Sequence, residues 1–364
     1  MEDAETLAVC GFAGAIGAGL IICVLGQLFL EPLSLLLGST ATILPYAKEY
    51  MRYILFAAPY MTAALVLNNQ LRLQGNANFA MIGITSGAVL NVALDPLFIF
   101  TFDMGVAGAA AATALSQLVS FVILLWALRR AGCVPLRFRY VRCMPSVMGQ
   151  IFGGGLPSLV RQGLGSLSVM MLNRAAGPYG DAAIAAMSIV GRICQFAGSA
   201  VIGFGQGFQP VCGFNYGARK YDRMHRAFSF SVKVTTIVLL VLGAAGFAFA
   251  EPVVTLFRRS DPEVIRIGTE TFRVQILTVW TWGFITLSNM YTQAIGYGIR
   301  STILAAARQG LFLIPTLLVL PNVWGLRGLE VCQPLADVLT LALAVWMMTK
   351  VIRAQKAQMA QETA

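Results

Sequence analysis

Charge is scarce in this chain: Asp, Glu, Lys and Arg make up 12% of its 364 residues, against 57% hydrophobic residues. One soluble core cannot hide that much apolar surface, so a water-soluble globular protein is excluded and lipid is left as the solvent. Histidine occurs once, at His225, and there is no HExxH, no phosphate-binding loop and no nucleophile elbow. Intramembrane hydrolysis and ATP-driven transport therefore have no residues to run on. The chain is read as no enzyme, with no cofactor, drawing its energy from an ion gradient or a partner. Its seven cysteines (10, 23, 133, 143, 194, 212 and 332) are scattered and form no CxxC. They read as small packing residues and not as metal ligands or disulfides. Acidic residues are few, 16 against 26 basic ones, for a net charge of +10. The basic residues flank apolar runs instead of sharing a soluble face, which points to membrane topology and not to a nucleic-acid partner.

What is present is a series of apolar runs long enough to cross about 30 Å of hydrocarbon. Ten spans are predicted, at about 6–30, 45–70, 79–101, 106–129, 147–173, 184–212, 224–249, 264–297, 300–320 and 328–351. The expected fold is an all-α, polytopic membrane bundle. Met1 to Cys10 carries neither a basic leader nor a cleavage site, so the first run is read as a retained span. With the N-terminus cytoplasmic, sixteen Lys and Arg fall in inner loops and the tail, Arg300 and Arg308 among them. Eight fall outside, and Arg161 and Arg192 lie within spans. That bias places both termini in the cytoplasm. The preference for Arg over Lys suggests a GC-rich bacterial source, hence a bacterial inner membrane.

The chain is also written almost twice, at an offset of about 220 residues. Leu30-Glu31-Pro32, Glu49 to Arg52, Gly75 and Gly105-Val106-Ala107-Gly108 recur as Ala250-Glu251-Pro252, Glu270 to Arg273, Gly296 and Gly325-Leu326-Arg327-Gly328. Paired halves of this kind suggest lobes that rock about a central site. The Arg- and Pro-containing connection marks the boundary: an N-lobe over 1–134, an interlobe loop over 135–146, a C-lobe over 147–352 and a cytoplasmic tail over 353–364. Four spans precede that loop and six follow it, so the first copy is expected to lack two helices at its start.

Ionisable residues at membrane depth cost free energy and are functional candidates by default. Asp95 lies ~24 Å into the third span, and Asn91, four residues earlier, shares its helix face. Thr113 lies ~10 Å into the returning span, at matching depth. A carboxylate, an amide oxygen and a hydroxyl suit a hard cation, and a carboxylate at that depth can instead carry a proton. The alternative is that Asp95-Pro96 caps the outer helix end. Asp337, in the last span, is either a proton or substrate site or a structural partner of an in-membrane base such as Arg161 or Arg192. Around it, Ser158, Arg161, Gln162, Ser166, Ser168, Asn173, Gln206, Gln209, Asn289, Tyr291 and Gln293 either line a passage or join helices by hydrogen bonds. Glu49 with Arg52, and Glu270 with Arg273, read as i,i+3 ion pairs.

The run Leu73-Gln74-Gly75-Asn76-Ala77, Asn91 to Phe100, Gly105 to Ala110 and Ala112-Thr113 resembles the multidrug and toxic compound extrusion (MATE) transporters. Pro157-Ser158, Arg161-Gln162, Gln206-Gly207, Gln209-Pro210 and Gly213 to Ala218 are similar to a bacterial DinF/MepA-like branch of that family. The resemblance implies two six-helix lobes and export of organic cations or drugs by alternating access, in exchange for Na+ or H+. It implies a monomer in membrane lipid. It carries the N-lobe cation site onto Asn91, Asp95 and Thr113, with Thr62 where some members place an Asn. The family's first helix supplies a further Asp, and this chain is expected to begin after the second helix. A lipid-linked oligosaccharide flippase of the same superfamily, or a non-transporting membrane remnant, are the alternative readings.

Overall fold

The computed structural model describes residues 2–36, 43–132, 144–258 and 261–363, and no strand occurs among them. The central part of the interlobe loop, with Arg137, Arg139 and Arg142, lies outside the described residues, as do Cys133, Cys143 and Arg259. Backbone amides in hydrocarbon have no water to bond, so apolar runs of this length satisfy themselves as helices. Eight helical segments among the described residues are long and apolar enough to cross a bilayer. Large side chains point outward along them, Phe196 at 83% and Phe100 at 79% exposure, as a lipid solvent permits.

Two compact units divide the chain, residues 1–151 and 152–364. The first contains α1 (Glu2–Leu28), α2 (Leu30–Leu36), α3 (Leu44–Leu73), α4 (Ala77–Pro96) and α5 (Gly105–Arg130). A π-helical turn, Leu97–Thr101, follows α4. Its core joins Phe12 of α1, Ala63, Ala64, Leu67 and Leu71 of α3, Ala80 of α4 and Leu124 and Leu128 of α5. α6 (Met144–Ala176) leads into the second unit, which holds α7 (Asp181–Gly217), α8 (Tyr221–Ala248), α9 (Ala250–Phe257), α10 (Pro262–Ile276) and α11 (Thr281–Ala294). α12 (Gly298–Ala306), a π-helical turn over Ala307–Leu311, α13 (Leu313–Trp324) and α14 (Leu326–Thr363) complete it. Its largest core gathers Phe208, Tyr221, Met224, Phe228, Leu287, Tyr291 and Met348.

The sequence repeat becomes a repeat of local devices. Gly105 and Gly325 take positive φ, 53° and 61°, where the chain turns into α5 and α14. Three residues on, each unit needs a second glycine for a different reason. A Cβ at Gly108 would sit 2.7 Å from the Phe98 carbonyl oxygen, and one at Gly328 would collide with the Leu320 carbonyl oxygen. Asn68 donates to the Ala80 carbonyl at 3.0 Å, and its counterpart Asn289 donates to the Ser301 carbonyl at 2.6 Å, each twelve residues ahead. Both bonds clamp one helix to the next through a buried amide. Gly328→Ala should therefore lower stability by about 1–3 kcal/mol, because the obstacle is backbone and cannot rotate away. The thermal midpoint of the purified protein checks this, and a variant that melts with the parent contradicts the close approach.

The predicted span 264–297 is not one helix. Over Leu277–Trp280 the bonding tightens to i→i−3, with Thr278, Val279, Thr281 and Trp282 amides donating to Gln275, Ile276, Thr278 and Val279 carbonyls at 3.0–3.3 Å. The same position in α3 holds Pro59 and stays helical. The break thus has no proline or glycine of its own, and its cause is tertiary. The expected i,i+3 ion pairs do not close either. Glu31 pairs with Lys48 at 2.7 Å, which holds its carboxyl below the usual range, and Arg273 lies over the Phe247 ring.

Candidate functional site

In the first unit, one ridge of α4 carries Gly83, Gly87, Asn91 and Asp95 at four-residue spacing, which places them along one side of the helix. The two glycines bring α5 close. A Cβ at Gly87 would meet Ser120 and the Ser116 carbonyl, and Ser120 donates to the Gly83 carbonyl at 2.8 Å. Further along the same contact Asn91 faces Thr113. The Asn91 Nδ2 donates to Asp95 Oδ1 at 3.0 Å and to Thr113 Oγ1 at 3.4 Å. Thr113 in turn donates to the Ala109 carbonyl at 3.0 Å, so its hydroxyl proton is spent and its oxygen is left to accept. All three side chains are half-buried. One turn below, the buried Ser116 hydroxyl has no partner.

Thr62 sits elsewhere. Its hydroxyl lies against the Ala15, Ala58 and Pro59 carbonyls at 2.8–3.0 Å, where Gly19 lets α1 press onto α3. It makes no bond to Asn91, Asp95 or Thr113. Tyr60, on the same helix, does reach that end of α5, donating to the Ala114 carbonyl at 2.9 Å.

In the second unit the expected polar lining separates into three groups. Asp337, fully buried on α14, accepts four hydrogen bonds. They come from Arg308 Nε at 2.7 Å and Gln333 Nε2 at 3.1 Å on Oδ1, and from Trp282 Nε1 at 2.6 Å and Thr278 Oγ1 at 3.2 Å on Oδ2. The base paired with Asp337 is thus Arg308 and neither Arg161 nor Arg192. Arg308 also corrects the topology, for it lies in the π-helical turn inside the Gly298–Trp324 span and not in a loop. Thr278 lies within the tightened turn Leu277–Trp280 and Trp282 just after it, so Asp337 ties α14 to the α10–α11 junction.

The second group is Tyr291, whose hydroxyl donates to Gln355 Oε1 at 2.6 Å, with His225 Nε2 at 2.8 Å from the same oxygen. The third is Gln293, which accepts from Gln209 Nε2 at 3.0 Å and donates to the Gly154 carbonyl and Ser158 Oγ on α6. Asn289 belongs to the α11–α12 clamp, with its Oδ1 left unpartnered. Arg161, Gln162 and Asn173 on α6 make no side-chain bond to Asp337, and Gln206 on α7 makes none either. Among the described residues no His, Cys, Asp and Glu cluster of the kind that holds a transition metal occurs.

This arrangement, an acid, an amide and a hydroxyl on two apposed spans, accompanies a match of the MatE family model to residues 1–97 and 157–318. The chain belongs to the MatE family. It is similar to the multidrug export protein MepA of Staphylococcus saprophyticus, 27% identical over 341 residues that cover 93% of this chain and 75% of that protein. MepA of Staphylococcus aureus strain bovine RF122 is 26% identical over the same shares. Among solved structures, a MATE protein in complex with MaL6 superposes with a TM-score of 0.91 at 25% identity, covering 97% of this chain and 80% of that one. A MOP superfamily transporter from Pyrococcus furiosus also gives 0.91, at 26% identity, covering 98% and 80%.

This MatE protein is therefore a multi-pass membrane transporter and not an enzyme. Sequence reasoning missed Tyr60, Thr278, Trp282 and Arg308. Tyr60 has a signal in the sequence, since a hydroxyl in lipid needs a partner. Arg308 reads as a loop residue from the sequence because the exposed Arg300 lies eight positions before it.

Proposed function

We propose that this chain exports organic cations or other xenobiotics across a bacterial inner membrane in exchange for Na+ or H+, with both termini cytoplasmic. The observation that carries the reading is the meeting of Asn91, Asp95 and Thr113 on the α4–α5 contact. Asp95 Oδ2, Asn91 Oδ1 and the Thr113 lone pairs supply oxygens of the kind a hard monovalent cation binds, and Asp95 alone suffices for a proton. Asn91 holds the carboxylate in place with its amide while leaving its own oxygen available. Binding of the ion favours one arrangement of the transporter and binding of the drug the other, so the gradient of one drives the other. The resemblance to multidrug export proteins supports the drug side of this exchange.

The test is ethidium transport by the purified chain in proteoliposomes under an imposed Na+ or H+ gradient. Ethidium should move against its own gradient with one of the two ions and stop when that gradient is collapsed. Transport indifferent to both gradients overturns the proposal.

A further inference from the structure

The pair Arg308–Asp337 has the layout of an occupied binding site more than of a brace. Its anion has no exposure, while its cation keeps 22% of its side chain exposed. A structural Arg–carboxylate pair gains most from two parallel hydrogen bonds, yet Arg308 gives Asp337 only its Nε. Neither terminal amino group of the guanidinium has a partner among the described residues. The flat face of that guanidinium lies over the Trp282 indole, its carbon 4.2 Å from the ring centroid, and Trp282 is 2% exposed. A carboxylate beside an aromatic face is the chemistry that recognises organic cations. The carboxylate does not rely on Arg308 for its shape, because Gln333, Thr278 and Trp282 hold both of its oxygens. The helix is irregular on both sides of the pair, a π-helical turn under Arg308 and the tightened turn beside Thr278, the kind of irregularity that is frequent at functional sites.

We propose that Trp282 and Asp337 form a subsite for small planar organic cations of guanidinium or amidinium type, which Arg308 fills as a tethered occupant until a substrate cation displaces it. The subsite deepens the export reading above and rests on it. A tethered occupant lowers the apparent affinity of a free cation by the fraction of time it fills the site, so removing it should raise that affinity.

The probe is N-ethylguanidinium, which reproduces the part of Arg308 that Arg308→Ala deletes. Millimolar N-ethylguanidinium should raise the thermal midpoint of the R308A protein saturably, leave the parent unmoved, and lose its effect in R308A/W282L. In proteoliposomes it should also compete with ethidium transport by R308Q at a concentration more than about a hundredfold lower than with the parent. R308A melting that ignores N-ethylguanidinium overturns the subsite, and stabilisation without competition overturns its place on the substrate path. Failure of the export reading looks different: parent vesicles that move no ethidium under either gradient, in a preparation whose R308A counterpart still answers to N-ethylguanidinium.

Discussion

Asp95→Asn should sharply reduce gradient-driven ethidium transport and leave the protein folded. The substitution keeps the side-chain shape and an oxygen for the Asn91 amide, so the 3.0 Å contact has no reason to break. What disappears is the negative charge. A charge-assisted interaction is worth about 1.5–3 kcal/mol, which converts to a roughly 10- to 150-fold loss of cation affinity. Asn91→Ala removes one neutral oxygen and frees the carboxylate to move, and Thr113→Val removes one hydroxyl, so both weaken coupling less than Asp95→Asn. The measurement is the ion-concentration dependence of the transport rate for each variant. An Asp95→Asn protein that transports like the parent removes Asp95 from the coupling role.

Arg308→Ala in turn should cost about 3–5 kcal/mol of stability, because it leaves a fully buried carboxylate without its counter-charge. Asp337→Asn costs less, since Arg308 is partly exposed and its charge can turn outward. The double replacement Arg308→Met, Asp337→Leu should recover most of the loss, as hydrophobic pairs of similar volume often match or exceed the buried ion pairs they replace. Thermal midpoints in detergent order the three variants. Arg308→Ala melting with the parent would show that the pair contributes nothing to stability. The recovered double variant also separates stability from recognition, because it lacks the anion that an organic cation needs.

The two candidate sites differ in how far the sequence reveals them. Asn91 and Asp95 are four residues apart on one helix, and Gly83 and Gly87 continue the same ridge, so helix geometry alone puts them on one side. Thr113 follows from span depth, because α4 and α5 are joined by a short turn and must lie side by side. The paired glycines at 105 and 108, and at 325 and 328, were legible for the same reason, as each acts within a few residues of its neighbour in sequence. Thr62 shows the limit. It occupies the right depth, but the rotation of α3 about its own axis turns its hydroxyl onto α1.

By itself, the sequence determined an all-α membrane chain, its internal repeat, its MATE resemblance and the meeting of Asn91 with Asp95. Each depends on composition or on spacing within one helix or one hairpin. Only the tertiary structure decided that Asp337 pairs with Arg308, that Trp282 and Thr278 complete its shell, and that the α10–α11 stretch breaks at Leu277–Trp280. Those contacts join residues 29 to 59 positions apart. A span surrounded by lipid and other helices is apolar on nearly every face, so its pattern does not say which face meets which neighbour. The buried charge settles that question through its demand for partners, and the demand is visible only once the helices are packed.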